Sequence, residues 1–516
     1  MNKQRMFWIL TLVAFALQCI AELMLGVSVF NLNFLPDNYW AIFVGVLIVL
    51  VLGVGMLGLF HMPKKQVGVT RRCIAAVLSL LIALGCIFVW QATEQVKATI
   101  NEITVTEPEV PSRAVFVRID DPATTLEEIK DYPYGITTDY DAESCQNVRL
   151  TIEERLATQL RVSEYATPAV MVDALLSGEV DAIILNSGYL SVLEEQEAYE
   201  DILTKIRLVE QIPLVERVAP EETQPTEAPT VPTTEPVYVE NITNTPFVVY
   251  FSGLDYRGQN LTASRSDVNI LAVVNPTTKQ ILLINTPRDY YVPHPHSYSG
   301  TRDKLTHLGI YGIECSMKAL ETLYDVPVTY YAQVNFSGFE ALINALGGIT
   351  VYSGHAFTAY DDFNVPAYIQ KGENVLDGRE ALCFARDRYN QAAGDNDRGK
   401  NQMKVIQAVI AKCTSGSTII SNYSEILTSM SGMFKTNLTT EDISLLVKMQ
   451  LSDMASWNVQ SFAVSGIGGS GKTYSMPDFE AYVAYPDEKT VAFASDLIDR
   501  VISGEILTEE SVKYTP

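Results

Sequence analysis

Three long apolar runs at the N-terminus constrain this chain more than any other feature. Met6–Phe30 (MFWILTLVAFALQCIAELMLGVSVF) holds a single charge, Glu22, while Tyr39–Phe60 and Cys73–Trp90 hold none. A helix needs about 20 mostly apolar residues to cross the hydrocarbon core of a bilayer. Three such runs in succession therefore predict three membrane passes. A cleavable leader is the rival reading of the first run, but two further runs follow and no small-residue cleavage site precedes them. Lys3 and Arg5 precede the first run, and Lys64, Lys65, Arg71 and Arg72 crowd the second loop, whereas NLNFLPDN between the first two runs has no basic residue. Lys and Arg gather on the cytoplasmic side. Residues 1–5 are thus expected in the cytoplasm, residues 6–90 in the membrane, and the large remainder outside the cell. Glu22 is expected near the outer end of its span or packed against another span.

The balance of 61 acidic against 37 basic residues gives a formal net charge of −24. That argues against a general affinity for nucleic acid, which requires a basic face. Seven cysteines are scattered with no C-x-x-C pair, so neither a zinc knuckle nor a disulfide framework is indicated.

After a connector (91–112), residues 113–218 read as a small α/β accessory domain. AVFVRI and DAIILN are strands. TLEEIKDY, ESCQNVRLTIEERLATQL, PAVMVDALLSGEV and SVLEEQEAYEDIL are helical. The run VDALLSGEVDAIILNSGYL resembles one lobe of periplasmic solute-binding proteins. Residues 219–246 are rich in Pro, Thr and Glu, a composition that cannot bury a core and stays extended, so they form a linker. From Phe247 the pattern is again α/β. FVVYFSGL is a strand, NILAVVN and QILLINTP form a hairpin over PTTK, and VTYYAQVN and ITVY are strands. GIYGIECSMKALETLY, SGFEALINAL, DGREALCFA and DNDRGKNQMKVIQAVIAKC are helices. Residues 247–415 form the core of this domain and 416–516 its C-terminal part and tail.

Charges in this last domain gather where strands end and helices begin. Asp255 follows FVVYFSGL, Asp267 precedes NILAVVN, and Arg288 and Asp289 follow QILLINTP. Lys304 lies in TRDKLTH, Arg386 and Arg388 in FARDR, and Asp395, Asp397, Arg398 and Gln402 in AGDNDRGKNQ. If FARDR is extended, Arg386 and Arg388 share one face. Any one of these alone reads as a solvated charge or a structural ion pair. Together they supply carboxylates suited to Mg²⁺, which takes hard oxygen ligands shared with phosphates, and guanidinium forks that match phosphate oxygens. Val405, Ile406, Val409 and Ile410 add an apolar helix face beside them, suited to a phosphorylated lipid.

Two other motifs compete for attention. GIGGSGKT, Gly466–Thr473, fits the nucleotide-binding pattern G-x-x-x-x-G-K-[ST], which needs a strand before it and a helix after it. Pro477 and Pro486 break any long helix there, and the stretch is expected outside the cell, where nucleotide is scarce. It reads as a flexible Gly/Ser loop, so no nucleotide partner is expected. His294 and His296 in HPHSYSGTR suit a metal, but with no third ligand in view they read as a solvent-facing loop.

SGLDYR, SRSDVNILAVVNPTTKQILLINTPRD, DKLTH, VNFSGFEALINALGGITV, LDGREALCFARDR and GDNDRGKNQ occur in this order. They resemble the LytR–CpsA–Psr family of bacterial cell-envelope proteins over Phe247–Ser415. The resemblance implies an α/β/α catalytic domain with a mixed central sheet. Its activity would be transfer of a glycopolymer, such as teichoic acid or capsule, from a polyprenyl pyrophosphate carrier to peptidoglycan at a bacterial plasma membrane. It implies that Asp255 and Asp267 hold Mg²⁺, and that Arg288, Lys304, Arg386, Arg388 and Arg398 grip the pyrophosphate. Gln402 would touch phosphate or lipid head. Asp395 would deprotonate the attacking hydroxyl, with Asp397 as the fallback. A polyprenyl-phosphate-binding sensor or regulator, and a lipid pyrophosphatase, are the alternatives.

Overall fold

The computed structural model describes residues 3–59, 65–104, 112–138, 141–215, 239, 241–255, 264–297, 300–388, 390, 395–415, 426 and 429–515. For residues 3–4, 65–68 and 395–397 it describes the backbone alone. Most of the expected linker, 219–238 and 240, lies outside the described residues.

The apolar runs form helices α1 Lys3–Leu32, α2 Asp37–Leu59 and α3 Lys65–Ile103. All three are long and apolar enough to cross a membrane. Their large side chains largely face outward, Leu23 and Phe88 among them, a surface tolerable only where lipid is the solvent. The protein is membrane-anchored. Glu22 is buried, its Oε1 accepting from Gln18 Nε2 at 2.7 Å beside the cluster Ala21, Leu25, Ala83 and Cys86 where α1 packs on α3. The third helix runs on past Trp90 because QATEQVKATINEI contains neither Gly nor Pro. Its extension buries Val96, Ile100 and Ile103 against Leu32, Phe434 and Ile443. Glu102 accepts from Ser431 Oγ at 2.7 Å, and Thr104 bridges to Thr436. The anchor thus joins the outer body directly.

The accessory unit runs β1 Ser112–Arg118, β2 Pro133–Thr137, α4 Ala142–Leu156, β3 Arg161–Tyr165, α5 Pro168–Ser177, β4 Ala182–Leu185, α6 Gly188–Leu193, α7 Ile202–Lys205 and β5 Ile206–Pro213. Its sheet has the order β3-β2-β4-β1-β5, with β2 parallel to β3 and β4, and β1 antiparallel to β4 and β5. Three strands escaped the sequence reading. The outer strands β3 and β5 are half-exposed and carry no run of buried residues to betray them; β2 is only five residues long. TLEEIKDY is a pair of turns closed by Ile129 N→Leu126 O and Tyr132 N→Ile129 O, not a helix. Pro133 behind it disfavours helical backbone at the residue before.

The second unit runs β6 Phe247–Leu254, β7 Ser266–Asn275, β8 Gln280–Asn285, β9 Tyr291–Pro293, β10 Arg302–Lys304, α8 Leu305–Leu308, α9 Ile313–Tyr324, β11 Tyr330–Asn335 and α10 Phe336–Ala345. It continues with β12 Ile349–Ser353, β13 Phe357–Tyr360, β14 Pro366–Ile369, β15 Gly372–Leu376, α11 Gly378–Arg386, α12 Asp395–Thr414 and β16 Phe434–Thr436. Helix Thr440–Asp453, β17 Asn458–Ala463, β18 Gly466–Lys472, β19 Glu480–Pro486 and helix Glu488–Ile502 complete it. The central sheet is mixed and ordered β16-β11-β6-β7-β8-β17. β7 and β8 form the expected hairpin, while β11 runs parallel to β6 and β17 parallel to β8. One face packs Tyr250, Leu271 and Leu282 against Leu320 of α9 and Leu497 of the last helix. The other packs Val249, Ile270 and Leu283 against Met403 of α12 and Leu445. Burial on both faces makes β8 apolar along most of its length, where a one-faced strand would alternate. The apolar stripe of α12 is split: Val405 and Val409 pack with α11 and β12, and Ile406 and Ile410 with the sheet.

GIGGSGK is the strand β18, paired antiparallel with β19, rather than a flexible loop. A Cβ at Gly468 would lie 2.8 Å from Tyr482 Oη, and one at Gly469 would lie 2.7 Å from the Tyr485 ring. Those glycines let tyrosine rings cross the strand closely, and no helix follows until Glu488.

Candidate active site

Asp255 directly follows β6 and Asp267 is the second residue of β7, with Leu254 paired to Ser266 and Asp255 N donating to Arg265 O at 3.2 Å. Antiparallel pairing therefore sets both carboxylates at one end of neighbouring strands. Arg288, three residues past β8, reaches the same end and gives Nη1 to both oxygens of Asp267 at 2.8 Å. Arg265 donates to Asp255 at 2.8 Å and to Glu195 at 2.9 Å. Lys304, at the end of β10, holds Glu195 at 2.7 Å and Asp289 at 3.5 Å. The result is a mesh in which most charges have two opposite neighbours.

The segment DKLTH supplies the supports. Thr306 Oγ1 donates to Asp267 at 3.2 Å and Thr306 N to Arg288 O at 2.8 Å. His307 Nδ1 lies 2.8 Å from Asp303, whose other oxygen accepts from Ser475 N at 2.8 Å. His307 Nε2 faces Glu195 at 3.5 Å. Burial alone would raise the Asp267 pKa, but the charges of Arg288, Arg265 and Arg398 outweigh it and hold the carboxyl below its ordinary value. Burial likewise works against the charge of Glu195, and His307 and Lys304 overcome it, so its pKa is lowered too. Burial would lower His307, but Asp303 and Glu195 raise it.

Arg398 sits in the first turn of α12 and is buried. Its approach depends on Gly399: a Cβ there would lie 2.2 Å from the Asn285 amide at the end of β8. Gln402, one turn on, is also buried. The positive end of a helix favours anions within its first turn, and α12 starts at Asp395. The side chains of Asp395 and Asp397 lie outside the described residues.

Arg386 and Arg388 do not form an extended pair. Arg386 ends α11, bonds Asp362 between β13 and β14, and stacks 4.4 Å over the Phe336 ring. Arg388 lies beyond the helix end and is exposed. His294 is not solvent-facing: it is 2% exposed, stacked 3.9 Å from Tyr474 and set edge-on to Tyr311. One ligand atom each of His294, His296 and Cys315 lies within 4.8 Å of the others. Yet His294 Nδ1 accepts from His296 N at 3.1 Å, so the neutral ring carries its proton on Nε2 and offers no lone pair there. Burial keeps that ring neutral, with a pKa pushed down to about 4.

The sequence reading thus named Asp255, Asp267, Arg288, Lys304 and Arg398, and the fold gathers them. It passed over Arg265, although SRSD places it two residues before Asp267 on the same strand end. It had no signal for Glu195, which comes from the accessory unit just beyond α6.

Part of the chain is similar to proteins of known description. A polyisoprenyl-teichoic acid–peptidoglycan teichoic acid transferase TagU of Enterococcus faecalis is 33% identical over 236 residues, 45% of this chain and 75% of that protein. TagT of the same description from Bacillus subtilis is 37% identical over 204 residues, 38% of this chain and 61% of that protein, less than two thirds of its length. Among solved structures, B. subtilis TagV is 24% identical and covers 53% of this chain and 99% of its own, with a TM-score of 0.41. TagT bound to LI-WTA is 26% identical and covers 52% and 94%, also with a TM-score of 0.41. The LytR_cpsA_psr family model matches residues 218–488. That span is more than half of the 516 residues and takes in every member of the charge mesh except Glu195, and on it the chain belongs to the LytR_cpsA_psr family.

Proposed function

We propose that the protein transfers a glycopolymer from a polyprenyl pyrophosphate carrier to peptidoglycan on the outer side of a bacterial plasma membrane. The observation that carries this reading is the convergence of Arg265, Arg288 and Arg398 on Asp255 and Asp267 at one sheet end, with Lys304 joined to them through Glu195 and Asp289. Such a mesh suits a compact polyanion, and the TagU and TagT relatives are named as polyisoprenyl-teichoic acid–peptidoglycan transferases. The basic loop between the second and third spans supports a cytoplasmic N-terminus.

In this reading Arg288, Lys304 and Arg398 bind the pyrophosphate oxygens, with Arg386 and Arg388 closing from the β13–β14 side and Gln402 touching phosphate or lipid head. Asp395, or Asp397 in its place, takes the proton of the attacking sugar hydroxyl. That oxygen bonds to the glycan-side phosphorus, the bridging P–O bond breaks, and polyprenyl phosphate leaves. Positioning and charge neutralisation are most of what phosphoryl transfer requires. Mg²⁺ fits the donor set, since Asp255 and Asp267 are hard oxygen ligands on adjacent strand ends and Asp267 is held ionised. When bound it would offset charge on the pyrophosphate oxygens.

The test is transfer by full-length protein in detergent, with a labelled lipid-linked oligosaccharide, Mg²⁺ and peptidoglycan. Label in peptidoglycan supports the transferase. Free labelled glycan phosphate makes it a lipid pyrophosphatase, and binding without turnover makes it a sensor. A sensing element coupled to the enzyme is favoured by one observation, the accessory unit's Glu195 within the mesh.

A further inference from the structure

Glu195 is a member of the mesh that comes from the accessory unit. Among the described residues of the mesh, the catalytic unit provides four cations (Arg265, Arg288, Lys304 and Arg398) and three carboxylates (Asp255, Asp267 and Asp289). His307 pairs with Asp303 and also faces Glu195 at 3.5 Å. Glu195 divides its two oxygens between Arg265 Nη1 at 2.9 Å and Lys304 Nζ at 2.7 Å. A carboxylate bridging two cations by separate oxygens makes the contacts that a phosphate makes with the same groups.

Its setting suits an exchangeable occupant. The accessory unit is fastened nearby by contacts independent of Glu195. Asn186 Nδ2 donates to Ile310 O at 2.9 Å, the Tyr189 and Tyr311 hydroxyls lie 2.6 Å apart, and Ile310 and Met476 enter the accessory core. Glu195 follows α6 in a short turn before Glu197–Tyr199. Rotation of one side chain would release both cations without undocking the unit. Each keeps a second acid when Glu195 leaves, Asp255 for Arg265 at 2.8 Å and Asp289 for Lys304 at 3.5 Å.

We propose that Glu195 is a tethered counter-anion in the pyrophosphate site, which the substrate's phosphate must displace from Arg265 and Lys304. This rests on the pyrophosphate reading of the mesh. It makes the accessory unit a brake on substrate binding. Binding linkage is reciprocal, so pyrophosphate in the mesh must in turn alter how the accessory unit holds Glu195.

The experiment measures inorganic pyrophosphate and a short-chain prenyl pyrophosphate binding to full-length protein in detergent, with thermal unfolding in parallel. Glu195→Gln removes the charge and keeps the shape, and should tighten both ligands by about tenfold, within the usual range of coupling between sites. Glu195→Asp, too short to hold both cations, should tighten them less. If Glu195→Gln does not fold, the Asp variant carries the test in the same direction. Unchanged or weaker binding in folded variants overturns the proposal and leaves the pyrophosphate site standing. If neither wild type nor variant binds either ligand, the pyrophosphate reading itself falls, and the brake with it.

Discussion

Arg113 of the accessory unit is buried and Arg288 of the second unit is half-buried, and they are wired differently. Arg113 bonds both oxygens of Asp141, Ser144 Oγ at 3.1 Å and Ser112 O at 2.7 Å, all within its own unit. Arg118 is closed in the same way by Asp181 at 2.6 Å and the carbonyls of Leu175 and Val180. Arg288 shares Asp267 with the charges of Arg265 and Arg398, and shares Asp289 with Lys304. A closed pair satisfies itself and holds a fold. An open mesh, where most charges have a substitute partner, can exchange one anion for another at modest cost.

The largest contrast lies in Arg288→Ala against Arg113→Ala. Arg113→Ala removes the guanidinium that closes Asp141 and should cost about 3–5 kcal/mol in thermal or denaturant unfolding, whereas Asp267 keeps the charges of Arg265 and Arg398, so Arg288→Ala should cost less. Only Arg288→Ala should also lower glycan transfer per folded molecule, by about 100-fold or more. Equal losses of turnover in the two variants would erase the distinction between pair and mesh.

Acid should act on the mesh. Glu195, Asp267 and Asp303 have folded pKa values below their ordinary 4.5, 3.8 and 3.8. Their contribution is present above those values and lost as pH falls through the folded ones. His307 has the opposite sign: raised above 6.5, it contributes fully below that pH and loses its contribution as pH rises through its folded value. Unfolding free energy should therefore fall on both sides of the window from 4.5 to 6.5, and Glu195→Gln should flatten both slopes. An unchanged profile in that variant would place the acid sensitivity elsewhere.

Tyr189→Phe should cost about 1 kcal/mol, the net worth of one hydrogen bond, because Tyr311 keeps Ser475 Oγ at 3.2 Å. It should leave transfer intact, since fastening and brake are separate contacts. The smallest effect belongs to Lys472→Ala: the side chain is exposed on β18, so stability should change by less than about 0.5 kcal/mol, with no loss of transfer. A large loss of activity there would revive the nucleotide-loop reading of GIGGSGKT.

Much of the architecture was legible because its causes are local. Long uncharged runs predict α1, α2 and α3. The turn PTTK between apolar runs predicts the β7–β8 hairpin, and the 3.6-residue spacing of Val405, Ile406, Val409 and Ile410 predicts α12. The edge strands β3 and β5 were illegible because half-exposed strands carry neither a continuous apolar run nor strict alternation. The condition that FARDR be extended is not met, because the helix that starts at the capping box of Asp377 and Glu380 runs through Arg386.

From the chain alone follow the membrane anchor, the α/β character of both outer units, and the ordered acids and bases at strand ends, all set by periodicity and charge within short windows. The tertiary structure alone decides which acid meets which base. Asp255 and Arg265 meet through strand pairing, and Arg398 reaches the mesh because Gly399 lets α12 close onto Asn285. Glu195 enters from a different unit, 109 residues from Lys304. Charges attract over distances that sequence separation does not measure, and the packing of two sheets sets those distances.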